Sequence, residues 1–319
     1  MTKKYTNKYN LPPEVVAALT ADNYHNESED PFDQSASSLV APTQLRILSQ
    51  RYDNELKVFD VSSFFWRFMG NIAHNVLENA WRESMESVVE KRFYVDIDGT
   101  VLSGKTDCYS PPEIRDYKSC KAYKIIKGAT EGYKEWEQAQ NIYAYILKKN
   151  NLPVERIKII AIVFDWKEHQ TYEANYPHCP FIVIDLPLWD TDQQERFIKE
   201  RIARLKEGEA LTDLDLSIAY PCSNEEMWRT LKDVCVIKHG AARATKVFKD
   251  GNREQLFQQA YRFCEEKGYS FNDYQVKERW SPRIRCQHWC PVAHKCAQHK
   301  QLSIEEGVYE EPADENLLF

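Results

Sequence analysis

Asp116 and Lys118 stand two residues apart in Glu113-Ile-Arg-Asp-Tyr-Lys-Ser-Cys120, a run that reads as a β-strand. Period-two geometry sends both side chains to one face with Ile114 and Cys120, and sends Arg115, Tyr117 and Ser119 to the other. Asp107 stands near the end of a preceding strand-like run, 100–108, three residues after Gly104. If the two runs pair, Asp107 approaches Asp116, and two carboxylates at one place repel unless a cation lies between them. Mg²⁺ suits such hard oxygen ligands. It would acidify a water and neutralise charge on a phosphodiester, while Lys118 would orient the water and stabilise the charged transition state. The spacing alone is common: Asp165-Trp166-Lys167 repeats it after another apolar strand. Only Asp116 and Lys118 follow a hairpin that carries a further acid. Glu113 is out of register with Lys118 and reads as a surface residue at the strand start.

The elements that must position these groups follow from periodicity. Pro12-Pro13 suits a helix start, and a short helix is expected over 42–52. Phe65, Phe68, Ile72, Val76 and Leu77 recur at helical spacing, which predicts one long helix over 62–90. The period then changes to two. Strands are expected at 91–98 and 100–108, joined by a turn at Asp98-Gly99, and at 113–120. A loop over 121–134 leads to a helix at 133–149. Strands at 156–165 and 180–186 and a helix at 191–207 complete a core ordered helix, three strands, helix, two strands, helix. This is an α/β fold with a mixed sheet flanked by helices. The segment from about 222 to 300 adds further helices and a short strand near 234–238. The divisions expected are a polar, partly helical segment 1–60, a core 61–215, a mainly helical segment 216–300 packing on it, and a disordered acidic tail 301–319.

Three motifs carry a resemblance. Gly70-Asn-Ile-Ala-His74-Asn-Val-Leu77-Glu78, Gly104-Lys-Thr-Asp107 and Ile114-Arg-Asp116-Tyr-Lys118-Ser119 resemble, in order, the three motifs of RecB-type nucleases in the PD-(D/E)xK superfamily. The resemblance implies a restriction-endonuclease-like core and an exonuclease that hydrolyses DNA at ends or in single strands with Mg²⁺ or Mn²⁺. It implies that His74, Asp107, Asp116 and the Tyr117 backbone carbonyl bind the metal and that Lys118 is catalytic. The family also carries a Gln four residues before a Tyr on the next helix. Here Ala139 holds that place, and Gln140 and Tyr143, three apart on one face, are the nearest counterparts as DNA contacts. Tyr145 reads equally well as a core residue.

Lysines 118, 121, 124 and 127 recur every third residue, which suits phosphates beside a scissile bond and adds Lys121 and Lys124 as DNA contacts. Residues 238–249 and 279–300 are basic too, the second with Trp280 and Trp289 available for stacking. Inside it lie Cys286, Cys290 and Cys296, with His288, His294 and His299 among them. Three clustered thiols in a chain without a secretory leader favour metal over disulfides. Zn²⁺ would take the three thiolates and one histidine; a [4Fe–4S] cluster would want a fourth thiolate. The cluster resembles the C-terminal cysteine triplet of AddB-type nucleases and of the RecB-like exonucleases of CRISPR adaptation, and that implies iron–sulfur. Those proteins carry their fourth cysteine before the first motif. This chain has none there, since its first is Cys108, so Cys222, Cys235, Cys264 or a histidine would have to serve.

The formal net charge of −7 is unfavourable for a DNA partner, but six acids fall within 301–319, leaving 42 basic residues against 43 acidic ones elsewhere. Local patches govern phosphate binding more than the total does. No apolar run reaches membrane-spanning length and the polar N-terminus is no secretory signal, so a soluble cytoplasmic protein is expected, in the host cytoplasm if a phage encodes it. No P-loop occurs, so unwinding would fall to a helicase partner; a recombinase or integrase partner is the other expectation. The rival readings are a non-catalytic DNA-binding or assembly protein of this fold and a spacer-trimming factor of CRISPR adaptation.

Overall fold

The computed structural model describes residues 5–21, 33–84, 88–89 and 91–306. The described residues fall into two compact units, one within 1–46 and 58–210, the other within 47–57 and 211–319. Among the described residues no helix is long and apolar enough to cross a membrane.

In the first unit the strands are β1 (Tyr5–Thr6), β2 (Gln34–Ser35), β3 (Phe59–Asp60), β4 (Val88–Val89), β5 (Arg92–Ile97), β6 (Thr100–Lys105), β7 (Cys108–Ser110), β8 (Glu113–Cys120), β9 (Arg156–Val163) and β10 (Phe181–Leu186). The helices are α1 (Pro13–Thr20), α2 (Ala36–Val40), α3 (Thr43–Arg51), α4 (Phe65–Ser84), α5 (Ala122–Glu131), α6 (Lys134–Lys149) and α7 (Thr191–Glu209). α3 is divided along the chain between the two units. The main sheet has the order β10-β9-β8-β7-β4. β8 and β9 run parallel at its centre, and the other pairs are antiparallel. The parallel strand β9 reads Arg-Ile-Lys-Ile-Ile-Ala-Ile-Val because both its faces are covered: Ile157, Ile159 and Ala161 are buried on one face and Ile162 on the other. Ile142, Ile146 and Leu147 of α6 and Ile198 and Ile202 of α7 add to the same core. The fold is mixed α/β, with sheets flanked by helices.

Several boundaries differ from the sequence reading. The helix expected over 62–90 begins with a 3-10 turn at Val61–Phe64 and is regular over Phe65–Ser84; 85–87 and 90 lie outside the described residues. The strand expected over 100–108 is two strands in two sheets. β6 pairs with β5 and β2, and β7 pairs with β8. The loop expected over 121–134 is largely α5. Lys121 starts that helix without capping it; instead Ala122 N–H donates to Asp165 Oδ1 at 2.7 Å, a cap supplied from beyond β9 that local sequence does not reveal. Glu113 is not a surface residue. It is 6% exposed and pairs with Arg115, Arg156 and Lys158. Burial pushes its carboxyl up, but these three cations outweigh it and hold the carboxyl below the usual range.

The second unit is less helical than expected. β11 (Leu231–Lys238) is the centre of an antiparallel sheet between β12 (Lys246–Phe248) and β13 (Tyr274–Trp280). Its helices are α8 (Asp213–Ala219), α9 (Arg253–Lys267) and α10 (Ala297–Glu305). Leu256, Ala260 and Cys264 of α9 pack on Val234 and Val236. β13 is hard to read because its alternation, Tyr-Gln-Val-Lys-Glu-Arg-Trp, hides inside a basic stretch. The acidic tail expected from 301 begins as the end of α10, and Glu306 pairs with Arg229 and buried Arg283; 307–319 lie outside the described residues.

Candidate active site

α4 lies along β8, and the two step in phase. Four helical residues rise about 6 Å, close to the roughly 6.6 Å of two strand residues. Contacts therefore recur down one helix face. Lys121 Nζ is 5.6 Å from the Trp66 ring centroid. A Cβ on Gly70 would come within 3.0 Å of Ser119 Oγ. The His74 ring meets Tyr117 edge-on at 5.8 Å, and Trp81 carries Arg115 over its ring at 4.3 Å. Gly70 lets the backbones close, and that delivers His74 and, one turn on, Glu78 to the site.

Asp107 sits where the chain leaves one sheet for the other, between β6 and β7. Its Oδ2 accepts a hydrogen bond of 2.9 Å from Tyr117 N–H and lies 3.5 Å from His74 Nδ1. Glu78, 4% exposed, places Oε1 3.9 Å from the same nitrogen. One imidazole nitrogen and one oxygen from each of two carboxylates thus fall within 4.8 Å of one another, a spacing a divalent ion can bridge. The N–H and C=O of one strand residue leave the same edge, so the Tyr117 carbonyl faces the side from which Asp107 approaches. Beyond Asp107 stand Asp116, 5% exposed, and Lys118, whose Nζ is 2.6 Å from Asp116 Oδ2.

The electrostatics centre on Asp107. It keeps 21% of its side chain open, yet protein surrounds it densely. Burial, then the neighbouring charge of Asp116, with Glu78 adding, raise its carboxyl well above the usual carboxylate range. Lys118 and the Tyr117 N–H oppose them without winning. Crowded carboxylates whose ionised state is this costly are the condition a cation relieves. Glu78 is the residue of this group that the sequence reading did not assign; its signal was the i,i+4 spacing from His74.

The rival pair does not assemble. Asp165 is spent on the α5 cap, and Lys167 is exposed. Of the expected DNA contacts, Lys121 is exposed at the start of α5, and Lys124 stands over the Trp136 ring at 5.3 Å. Tyr143 is half-buried; a Cβ on Gly104 would strike its ring at 2.8 Å, so the glycine exists for this packing. Gln140 is 1% exposed, shut from solvent because α6 is a core helix, and it meets no phosphate in this conformation. Tyr145 is core, donating to Glu195 Oε2 at 2.8 Å.

In the second unit Cys286, Cys290 and Cys296 have a fourth neighbour, Cys222. Burial, then Glu226 and the other three thiols, push its thiol far up. Cys286 is pushed to about 11 by burial and then by Cys290 and Cys296. Gln298 holds the Cys222 backbone at both ends, accepting from its N–H at 2.8 Å and donating to its C=O at 2.9 Å. Cys296 caps α10, its sulfur accepting from His299 N–H at 3.4 Å. Cys235 and Cys264 are buried beside the three-stranded sheet instead. Arg283 is 1% exposed with Nε and Nη1 lacking hydrogen-bond partners, and its charge reaches Cys286 and Cys296. In the basic stretch 279–300, Arg279 forks onto Asp233, Arg283 is buried, Arg285 donates to Glu226 O and Lys295 pairs with Glu55, while Lys300 and Trp289 are exposed.

No protein-family model matches the chain, and no curated protein sequence does. Several solved structures are weakly similar. The crystal structure of SSO0001 is 13% identical with a TM-score of 0.41, covering 59% of this chain and 83% of its own. A phage-related exonuclease from Haemophilus somnus 129PT is 13% identical at 0.31, covering 56% and 93%. A candidate exonuclease from Eubacterium rectale is 14% identical at 0.32, covering 58% and 71%.

Proposed function

We propose that this chain is a metal-dependent DNA nuclease of the PD-(D/E)xK type, an exonuclease acting on ends or single strands. The observation that carries the reading is the convergence on Asp107 of His74 and Glu78 from one helix and Asp116 and Lys118 from one strand. His74, Glu78, Asp107, Asp116 and the Tyr117 carbonyl would hold Mg²⁺ or Mn²⁺. Such an ion supplies Lewis-acid neutralisation and an acidified water. Lys118 brings a positive charge and N–H donors beside Asp116, where it orients the attacking water and meets charge building on the phosphate. Tyr117 N–H holds Asp107 in place. Exposed Lys121 would meet a flanking phosphate, and Lys124 would do so on leaving its pair with Glu135. A helicase, recombinase or integrase would supply unwinding or recruitment.

A non-catalytic DNA-binding or assembly protein needs none of this convergence, which is why the hydrolase is preferred; trimming of spacers in CRISPR adaptation is a narrower form of the same reading. Linear single-stranded and duplex DNA incubated with the full chain in Mn²⁺ should shorten, and DNA left intact in both would overturn it.

For the cysteines the reading is a [4Fe–4S] cluster on Cys222, Cys286, Cys290 and Cys296. A [4Fe–4S] cluster takes four thiolates, and Cys222 supplies the fourth beside the triplet. Arg283 supports it too. Its Nη2 already meets Glu306 and Ser303, while Nε and Nη1 have no hydrogen-bond partner; four thiolates around a cluster carry net negative charge that these two groups can meet. The cluster would fasten this unit rather than take part in hydrolysis.

A further inference from the structure

We infer that Trp66, backed by Phe164 and flanked by Lys121, is a stacking subsite for an unpaired base of the strand being cut, so the site selects single-stranded over duplex DNA. The inference rests on the nuclease reading and names its substrate. Trp66 is 45% exposed, large for a tryptophan whose ring is also packed. It stacks on Phe164 at 6.2 Å with 24° between the planes, and Phe65 meets it edge-on at 5.3 Å. Two aromatic neighbours hold the indole in one orientation and leave the rest of the ring open. Such fixed, exposed aromatic surface is what sequence-independent single-strand binding uses, because every base offers a π-face.

The position points to the same ligand. Trp66 and His74 lie on one face of α4, eight residues and roughly 12 Å apart. A base on Trp66 therefore belongs to a nucleotide next to the reacting phosphate, not to the reacting one. Lys121 stands just past the end of β8, continues the Tyr117 and Ser119 face that meets α4, and is exposed. Its ammonium rests 5.6 Å from the Trp66 centroid, an attraction of only about 0.5–1 kcal/mol at an exposed site. A phosphate draws it away and uncovers ring surface for the base. A basic group and an aromatic face thus lie side by side on the α4 side of β8, along the helix from His74, matching the neighbouring phosphate and base of one strand. In a paired duplex the base is stacked within its own helix and does not reach the indole.

The experiment measures binding by fluorescence anisotropy in the Lys118→Ala full chain, with a labelled oligothymidine and a blunt duplex in Mn²⁺. Trp66→Ala should weaken oligothymidine binding roughly tenfold and leave duplex binding within about twofold, and Trp66→Phe should retain most single-strand affinity. Lys121→Gln, which disturbs no packing, should lower oligothymidine affinity and reduce its salt dependence by about one counterion. Unchanged single-strand affinity in Trp66→Ala, an equal loss on duplex, or an indifferent Lys121→Gln would each overturn the inference. If Trp66→Ala does not fold, Trp66→Phe and Lys121→Gln decide it alone. Cutting by the otherwise wild-type chain that ignores Trp66 would sink the subsite and spare the nuclease. Trp66-dependent binding by a chain that cuts nothing would do the reverse.

Discussion

At the scale of single residues, Asp107 makes the sharpest statement. Its folded carboxyl binds its proton more tightly than an unfolded aspartate, whose value is about 3.9. A group raised in the folded state contributes stability that is complete below the unfolded value and is lost as pH rises through the folded one. The metal-free protein should therefore weaken as pH climbs from about 4 towards neutrality and beyond. Asp107→Asn removes that loss and should stabilise the metal-free chain near pH 7 by on the order of 1–3 kcal/mol, an advantage that shrinks towards pH 4. Mn²⁺ at 100 times its Kd should stabilise the wild type by about 2.7 kcal/mol and leave Asp107→Asn unmoved. Thermal melts with and without Mn²⁺ across pH test both. A variant less stable than wild type at neutral pH would show that Asp107 is held by bonds rather than strained by charge. The acids and the lysine were legible in the sequence because period two predicts a shared face. Glu113 was misjudged because nothing local reveals that Arg156 and Lys158 arrive beside it from β9.

At the scale of elements, the site depends on two close approaches made by glycines. Gly70 lets α4 settle on Ser119, and Gly104 lets α6 settle on β6. A Cβ on Gly104 would lie 2.8 Å from both Tyr143 Cδ1 and Ile146 Cδ1, with Ile146 fully buried. Gly104→Ala should cost about 1–3 kcal/mol through overpacking and disturb β6 just ahead of Asp107, which urea unfolding measures directly. A variant as stable as wild type would mean that α6 yields. Long periodic elements such as α4, α6, α7 and β9 were readable from sequence. The break between β6 and β7 was not, because a strand that changes sheets keeps its period while changing its partner. The α5 helix was missed for a related reason: its cap, Asp165, is 43 residues from Ala122. Gln140 looked like a DNA contact because helical spacing shows which residues share a face but not which face is buried.

At the scale of the whole molecule, the chain divides its tasks between two units. The first carries the acidic and lysine site. The second carries four neighbouring thiols and a buried arginine with idle donors. The triplet of cysteines was visible as a cluster, whereas Cys222 was one of several open choices; it lies far from Cys286 in sequence, and Gln298's grip on its backbone and the bond from Arg285 to Glu226 O join the two segments. Protein purified without oxygen should absorb near 400 nm and hold about four irons per chain. Cys222→Ser should lose most of both and lower the melting temperature. Zinc in place of iron, or full iron in Cys222→Ser, would contradict the assignment. The central claim remains hydrolysis at the first unit's site. The most direct measurement is single-turnover cleavage of end-labelled single-stranded DNA in Mn²⁺ by the wild type and by Lys118→Ala. The account predicts a fall of roughly 100- to 1,000-fold with Mn²⁺ stabilisation retained; equal rates in the two proteins would contradict it.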